Sequence, residues 1–306
     1  MEKDKATKNL EDYNDVFADI YNTLLFKERL LDEKHLESGV TETVFKAEQG
    51  VLSRQSRDVL KNYSDFGTLG ICSLGIENQN YMDRNMPIRV MGYDYASYSK
   101  RLKEQDKAVP VITIVLNFQL KPWDKPRSLH ETLDIPEKLM SYVQNYKIYV
   151  FDIPFLREET IDSFRSDFRW VAKFFKAKRL NSIDGIVAEK GAILHHTEEF
   201  LHLLKVFTGN DSYDELWTEL KQMDGIVLRE GAVEMCNLLD AFERRGMEKG
   251  RQAGIELGRS FGIENGKLST LWELVGDGLI TTEIAAKKAG LSEEKFMEKI
   301  KGLHII

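Results

Sequence analysis

Cysteine is scarce. The 306 residues contain two, Cys72 and Cys236, too few for a disulfide framework or a thiolate metal cage, and this usage fits a reducing compartment. Long apolar runs are also missing. No stretch approaches the roughly eighteen apolar residues of a membrane-spanning helix, and the opening MEKDKATKNLEDYND has no apolar signal core. A soluble, cytoplasmic protein with no membrane partner is therefore expected. Nor is there an excess of basic charge: 43 Lys and Arg stand against 50 Asp and Glu, a formal net charge of -7. The average field offers nucleic acid no attraction, although net charge does not report local distribution, so this weighs only mildly against a DNA partner. No G-x-x-x-x-G-K-[ST] run supports nucleotide hydrolysis. His195, His196 and His202 lie in a helical stretch without a matching carboxylate-histidine motif, which favours packing over metal binding.

What is present has globular proportions, 42% hydrophobic and 30% charged, at a length that allows about two domains. Phe17, Ile20, Tyr21, Leu24 and Leu25 recur at helical spacing within residues 13–30, so a helix opens the fold. Residues 31–56, broken by Gly39 and Gly50, read as a connection with at most a short strand. RDVLKNY, a turn at Ser64 to Gly67 and TLGICSLGIENQ predict a hairpin. A helix follows from Met86 to Leu102, with Pro87 in its first turn, and VPVITIVLNF is a central strand covered on both faces. After YKIYVFDI the pattern turns helical, with Phe164, Phe168, Val171, Phe174, Phe175 and later Phe200, Leu203, Leu204, Phe207 as buried positions. Breaks fall near Asn181 and Gly209. The expected parts are a 1–155 α/β core, a 156–230 helical extension, a 231–268 glycine-repeat helix and a 269–306 small helical tail.

The hairpin carries the chemistry. Asp58 opens its first strand and Glu77 closes its second, so antiparallel pairing brings the two carboxylates together despite their separation in sequence. Two carboxylates can share a divalent ion, since Mg²⁺ takes hard oxygen ligands and retains waters and substrate phosphate oxygens. The backbone carbonyl of Asn78 is a natural third ligand. Glu77 and Gln79 share a strand face, whereas the Asn78 side chain points the other way. The competing reading is a strand that simply leaves the sheet on a polar Glu-Asn-Gln. Against it, TLGICSLGI is too apolar for a surface loop, so the switch at Glu77 is abrupt.

SRDVLKNY, LGIENQNYMDRNMPIRVMGYD and VPVITIVLNFQLKPWDKPRSLHETLDIP together resemble the Rpn-type recombination-promoting nucleases, also described as putative, YhgA-like transposases, of the PD-(D/E)XK superfamily. The likeness extends from FADIYNTLLF to SDFRWVAKFF and the glycine-repeat tail. It implies an α/β, PD-(D/E)XK restriction-endonuclease-like core with a C-terminal all-helical region. It also implies Mg²⁺-dependent hydrolysis of DNA phosphodiesters, with Mn²⁺ or Ca²⁺ as alternative ions. Asp58 and Glu77 correspond to the family's metal-binding acids, and Asp15 or Asp19 is the candidate for a further acidic group. Gln79 stands where the wider superfamily holds lysine. A neutral amide can orient water or phosphate but adds no charge, which shifts electrostatic work onto the metal and other cations. Arg89, and less so Arg84, are candidates for phosphate contact. Because of Gln79 and the acidic composition, a non-catalytic DNA-binding or assembly module on a nuclease fold stays open beside the enzyme.

The second half holds a repeat, GRQAGIEL then GRSFGIEN, within a series that places glycine at every fourth position from Gly246 to Gly266. On a helix these glycines drift slowly round the axis, and the six cost on the order of 6 kcal/mol relative to alanine. Two readings remain: a groove that receives another helix, giving a homo-oligomer, or a marginal connector. ITTEIAAKKAGLSEEKF has helix-turn-helix spacing, with Ile284, Ala285 and Ala289 facing inward and Ser292 as a cap, but its acidic second helix suits protein packing better than a DNA groove.

Overall fold

An aliphatic, β-branched run without helical period is stable in the middle of a sheet covered on both faces. Residues 109–118 occupy that place. The computed structural model describes residues 2–46, 52–65, 70–105, 107–182 and 191–303. It opens with helices α1 (Glu2–Glu11) and α2 (Asn14–Ile20), the latter running into a π-helical turn over Tyr21–Phe26. Strand β1 (Leu36–Ser38) and a separate hairpin of β2 (Glu42–Lys46) and β3 (Leu52–Ser56) follow, where the sequence pattern had offered little more than a connection. Next come β4 (Val59–Asp65), β5 (Gly70–Gln79), helix α3 (Met86–Gln105), β6 (Val111–Asn117), the short helix α4 (Leu129–Thr132) and β7 (Tyr149–Asp152). Residues 66 and 67 of the expected turn lie outside the described residues.

The main sheet has the order β1-β4-β5-β6-β7. Its first three strands are antiparallel and its last three parallel, so β5 is where direction changes. Parallel strands need a crossover, and α3 supplies it between β5 and β6. Paired residues share a face, so Gly75, Glu77, Thr113 and Val115 look one way while Leu74, Ile76, Asn78, Ile114 and Leu116 look the other. The first face is closed by a cluster of Met86, Val90, Val115, Trp123, Ile148 and Val150. Trp123, in the proline-rich loop, is thus a packing anchor. On the second face the Tyr21 hydroxyl donates to the carbonyls of Gly75 at 2.6 Å and Ile112 at 2.9 Å, fastening the α2 end to the sheet.

Helices α5 (Glu158–Ser163), α6 (Phe168–Leu180), α7 (Thr197–Thr208) and α8 (Ser212–Gln222) belong to the same compact unit, Met1–Leu238. The expected division near residue 155 is therefore not a boundary between compact units. The cause is aromatic packing: Phe118, just beyond β6, meets Phe175 at 4.9 Å and Phe207 at 6.3 Å between ring centroids, so the helices complete the core. All nine apolar positions predicted for the two helical stretches are buried. The expected breaks appear as left-handed residues, Asn181 at φ 51° and Gly209 at φ 71°.

A second compact unit spans Leu239–Ile306. Helix α9 (Met235–Gly276) carries the glycine series, and α10 (Thr282–Ala289) and α11 (Glu293–Gly302) close a small core of Leu268, Leu271, Ala285, Ala286, Phe296 and Ile300. Ser292 caps α11 as expected, but Ile284 is 45% exposed and Ala286 takes the inward position instead. No helix among the described residues is long and apolar enough to cross a membrane. A methyl group added at any of the six repeat glycines meets nothing within 4 Å. Gly254→Ala with Gly258→Ala should therefore raise the stability of the helix by about 1 kcal/mol per site. Circular dichroism melts of the full chain check this; a loss of stability would mean that another chain occupies the groove.

Candidate active site

Val59 pairs with Ile76, so one step outward places Asp58 opposite Glu77, as the hairpin reading requires. There the ladder is continued by a side chain: Asp58 Oδ2 accepts the Asn78 backbone N–H at 2.8 Å. Glu77, Asn78 and Gln79 are all buried, and they diverge by strand alternation. Glu77 faces α3, where its Oε1 accepts from Arg89 Nη2 at 2.6 Å and from the Tyr93 hydroxyl at 3.4 Å. Gln79 Nε2 donates to the Asn78 carbonyl at 2.9 Å and to Glu77 Oε1 at 3.3 Å. The Asn78 side chain points to α1, where its Nδ2 donates to Glu11 Oε2 at 2.6 Å.

Glu11 is the acidic group that sequence reasoning missed. It is 1% exposed, at the last position of a helix formed by the polar opening of the sequence. A signal was there: Ala6, Thr7, Leu10 and Glu11, all buried, fall on one helical face. The end of that helix is held by Lys61 on β4, a lysine only 2% exposed whose Nζ donates to the Asp12 carbonyl and pairs with the Asp12 carboxylate at 3.2 Å. Asp15 and Asp19, the residues expected to add an acid, are engaged elsewhere. Asp15 pairs with His196 at 3.0 Å, and Asp19 pairs with Arg29 and accepts from the backbone of Arg165 and Ser166. Helix α2 turns them away from Asp58, while α1 turns Glu11 toward it. Arg89 sits on Glu77 rather than at an open phosphate position, and Arg84 is exposed.

The electrostatics are those of acids crowded out of water. Burial, with the charge of Asp58 added, pushes Glu11 up to about 8. Burial pushes Asp58 up to about 6 against the Asn78 N–H that favours its charged form. Glu77 is raised to about 8 by burial and then by Asp58, opposed by Arg89 and Arg57. Arg57 lies beneath this end of the sheet, 3% exposed and paired with Asp94 at 3.1 Å. Gly75 makes room for it: a Cβ there would come within 2.5 Å of Arg57 Nη1.

Among the described residues no three His, Cys, Asp or Glu side chains converge as a ready metal cage. The donor set still suits a hard divalent ion. Glu77 Oε2 and Gln79 Oε1, on one face of β5, are buried without a hydrogen-bond partner, as are Glu11 Oε1 and Asn78 Oδ1 on the other, and unpaired buried oxygens beside a raised carboxyl such as Glu77 are what a cation relieves. Mg²⁺ needs only one or two protein carboxylates.

Residues 66–202 match the family model of the putative, YhgA-like transposases. This transposase-family span contains Glu77, Asn78, Gln79, Arg84 and Arg89, whereas Glu11, Asp15, Asp19 and Asp58 precede it. No curated protein and no solved structure matches the chain. A polar cavity of about 1150 Å³ lies apart from these acids, lined by Asp15, Asp19, Arg29 and His196 but by neither Asp58 nor Glu77. Its His196 is held by Asp15, stacks on Tyr13 at 3.7 Å and so does structural work.

Proposed function

We propose that the protein is a metal-dependent DNA endonuclease of the PD-(D/E)XK type, related through its transposase-family segment to mobile-element or recombination proteins. The observation that carries this reading is the convergence of Asp58, Glu77 and Gln79 at the end of the β4–β5 pair, with unpartnered oxygens on Glu77 and Gln79. Asp58 and Glu77 would hold a divalent ion, Mg²⁺ or in its place Mn²⁺ or Ca²⁺, with the Asn78 carbonyl beside them. When bound, Mg²⁺ supplies Lewis-acid charge stabilisation and lowers the pKa of water.

The chain's own residues do the rest. Gln79 is fixed by its bonds to Asn78 and Glu77, which use both amide hydrogens and leave its Oε1 to accept from a water. Asp58 stays anchored by the Asn78 N–H, so its second oxygen keeps one direction. Burial of the acid set keeps solvent from screening it. Nuclease action is the whole of the claim; no strand transfer is invoked.

The test is cleavage of supercoiled plasmid DNA by the full chain. Nicking or linearisation with Mg²⁺ or Mn²⁺ and none with EDTA is expected. Cutting that persists in EDTA overturns the metal-dependent reading, and binding without cutting under every metal condition favours a non-catalytic module, the reading that a neutral Gln79 supports.

A further inference from the structure

Two guanidinium groups approach the acid set, and they differ in freedom. Arg57 is locked, 3% exposed, paired with Asp94 and lodged over Gly75. Arg89 is 30% exposed and holds two carboxylates at once, Glu77 through Nη2 at 2.6 Å and Asp83 through Nη1 at 2.9 Å. The hydroxyls of Tyr93 and Tyr81 accept from the same guanidinium at 3.0 and 3.2 Å. On the Glu77 side the pairing uses one oxygen, because Oε2 has no partner. If Arg89 let go of Glu77, Asp83 and the tyrosines would still tether it. A cation that satisfies a buried acid, yet keeps a second acceptor ready, is built to exchange.

We infer that Arg89 is a resident counter-ion which holds Glu77 in the metal-free protein, and that a divalent cation and Arg89 compete for that carboxylate. The inference rests on reading Asp58 and Glu77 as a metal site, and goes beyond it by giving Arg89 a positioning role. Positive charge in the site is then supplied by the arginine or by the metal, and Gln79 need supply none. Arg89 released onto Asp83 remains near the site with donors to spare for an anionic group.

Binding of Mn²⁺ alone, without DNA, tests this by isothermal titration calorimetry on the full chain at about pH 8. Arg89→Ala should bind Mn²⁺ about tenfold more tightly than wild type, within the range usual for coupled equilibria. Its melting temperature should be lower in EDTA and should rise more on adding Mn²⁺. Arg89→Lys keeps the charge and should restore wild-type competition in part; it also serves where the alanine variant fails to fold, since losing the guanidinium fork alone should still tighten Mn²⁺ binding. Equal or weaker Mn²⁺ binding by the variants overturns the competition while leaving the metal site standing. No Mn²⁺ binding by any of the three proteins overturns the metal site and the competition together.

Discussion

Glu11→Gln and Asp58→Asn proteins should each cut DNA about 10²- to 10³-fold more slowly than wild type, because each removes a negative charge that helps to hold the divalent ion, and it is the ion that stabilises the developing charge. Both should nevertheless unfold at higher temperature in EDTA above pH 8. Each substitution keeps an acceptor where the structure uses one, for Asn78 Nδ2 in the first case and for the Asn78 N–H in the second, and removes a charge that burial disfavours. Stability gained and activity lost in one variant is the mark of an acid held for chemistry. Plasmid nicking rates and melts in EDTA measure the two sides. A Glu11→Gln protein with full activity would remove Glu11 from the site, and one that unfolds earlier would show that its charge is compensated within the chain.

The stability of the metal-free protein should fall as pH rises from about 5 to 8. Glu11 and Glu77 are raised from 4.5 to about 8 and Asp58 from 3.8 to about 6, so in this window the folded chain binds more protons than the unfolded one. Stability is then greatest below the unfolded values and is lost as pH passes the folded ones. The expected loss is at least about 3 kcal/mol. His196 pulls the same way, because burial, which lowers its pKa, is outweighed by Asp15, Asp167 and Glu199 together, which raise it. Comparison with Glu11→Gln, in which His196 is unchanged, isolates the acids: the variant's slope should be shallower. Mg²⁺ or Mn²⁺ should reverse the loss, by more at pH 8 than at pH 6. Urea melts in EDTA across this range decide the matter, and a stability that climbs with pH would contradict the placement of the acids.

The elements that were legible in the sequence are those whose pattern is set locally. Alternation with a turn gave the β4–β5 pair, and antiparallel geometry alone then placed Asp58 across from Glu77. Helical spacing of phenylalanines located α6 and α7. What escaped depends on tertiary partners. The helix carrying Glu11 is polar over most of its length, and only Asn78, 67 residues further on, shows where its last residue is buried. The role of Arg89 was hidden for a related reason: spacing shows that an arginine follows the strand, but not that α3 folds it back onto Glu77. The composition change near residue 155 marks the start of helices, and it does not show that the aromatic faces of those helices pack on the sheet's own core.

One further consequence follows from the space above Gly75. A glycine inside a strand ordinarily weakens it, having no side chain to pack and more backbone freedom to lose. Here the missing methyl is the channel through which a guanidinium reaches the underside of the acid set. The electrostatics around Glu77 are thus set partly from its own face of the strand, by a residue with no charge and no side chain. Any residue larger than glycine at that position would displace Arg57 and so alter the ionisation of Glu77 without touching either Glu77 or Asp58.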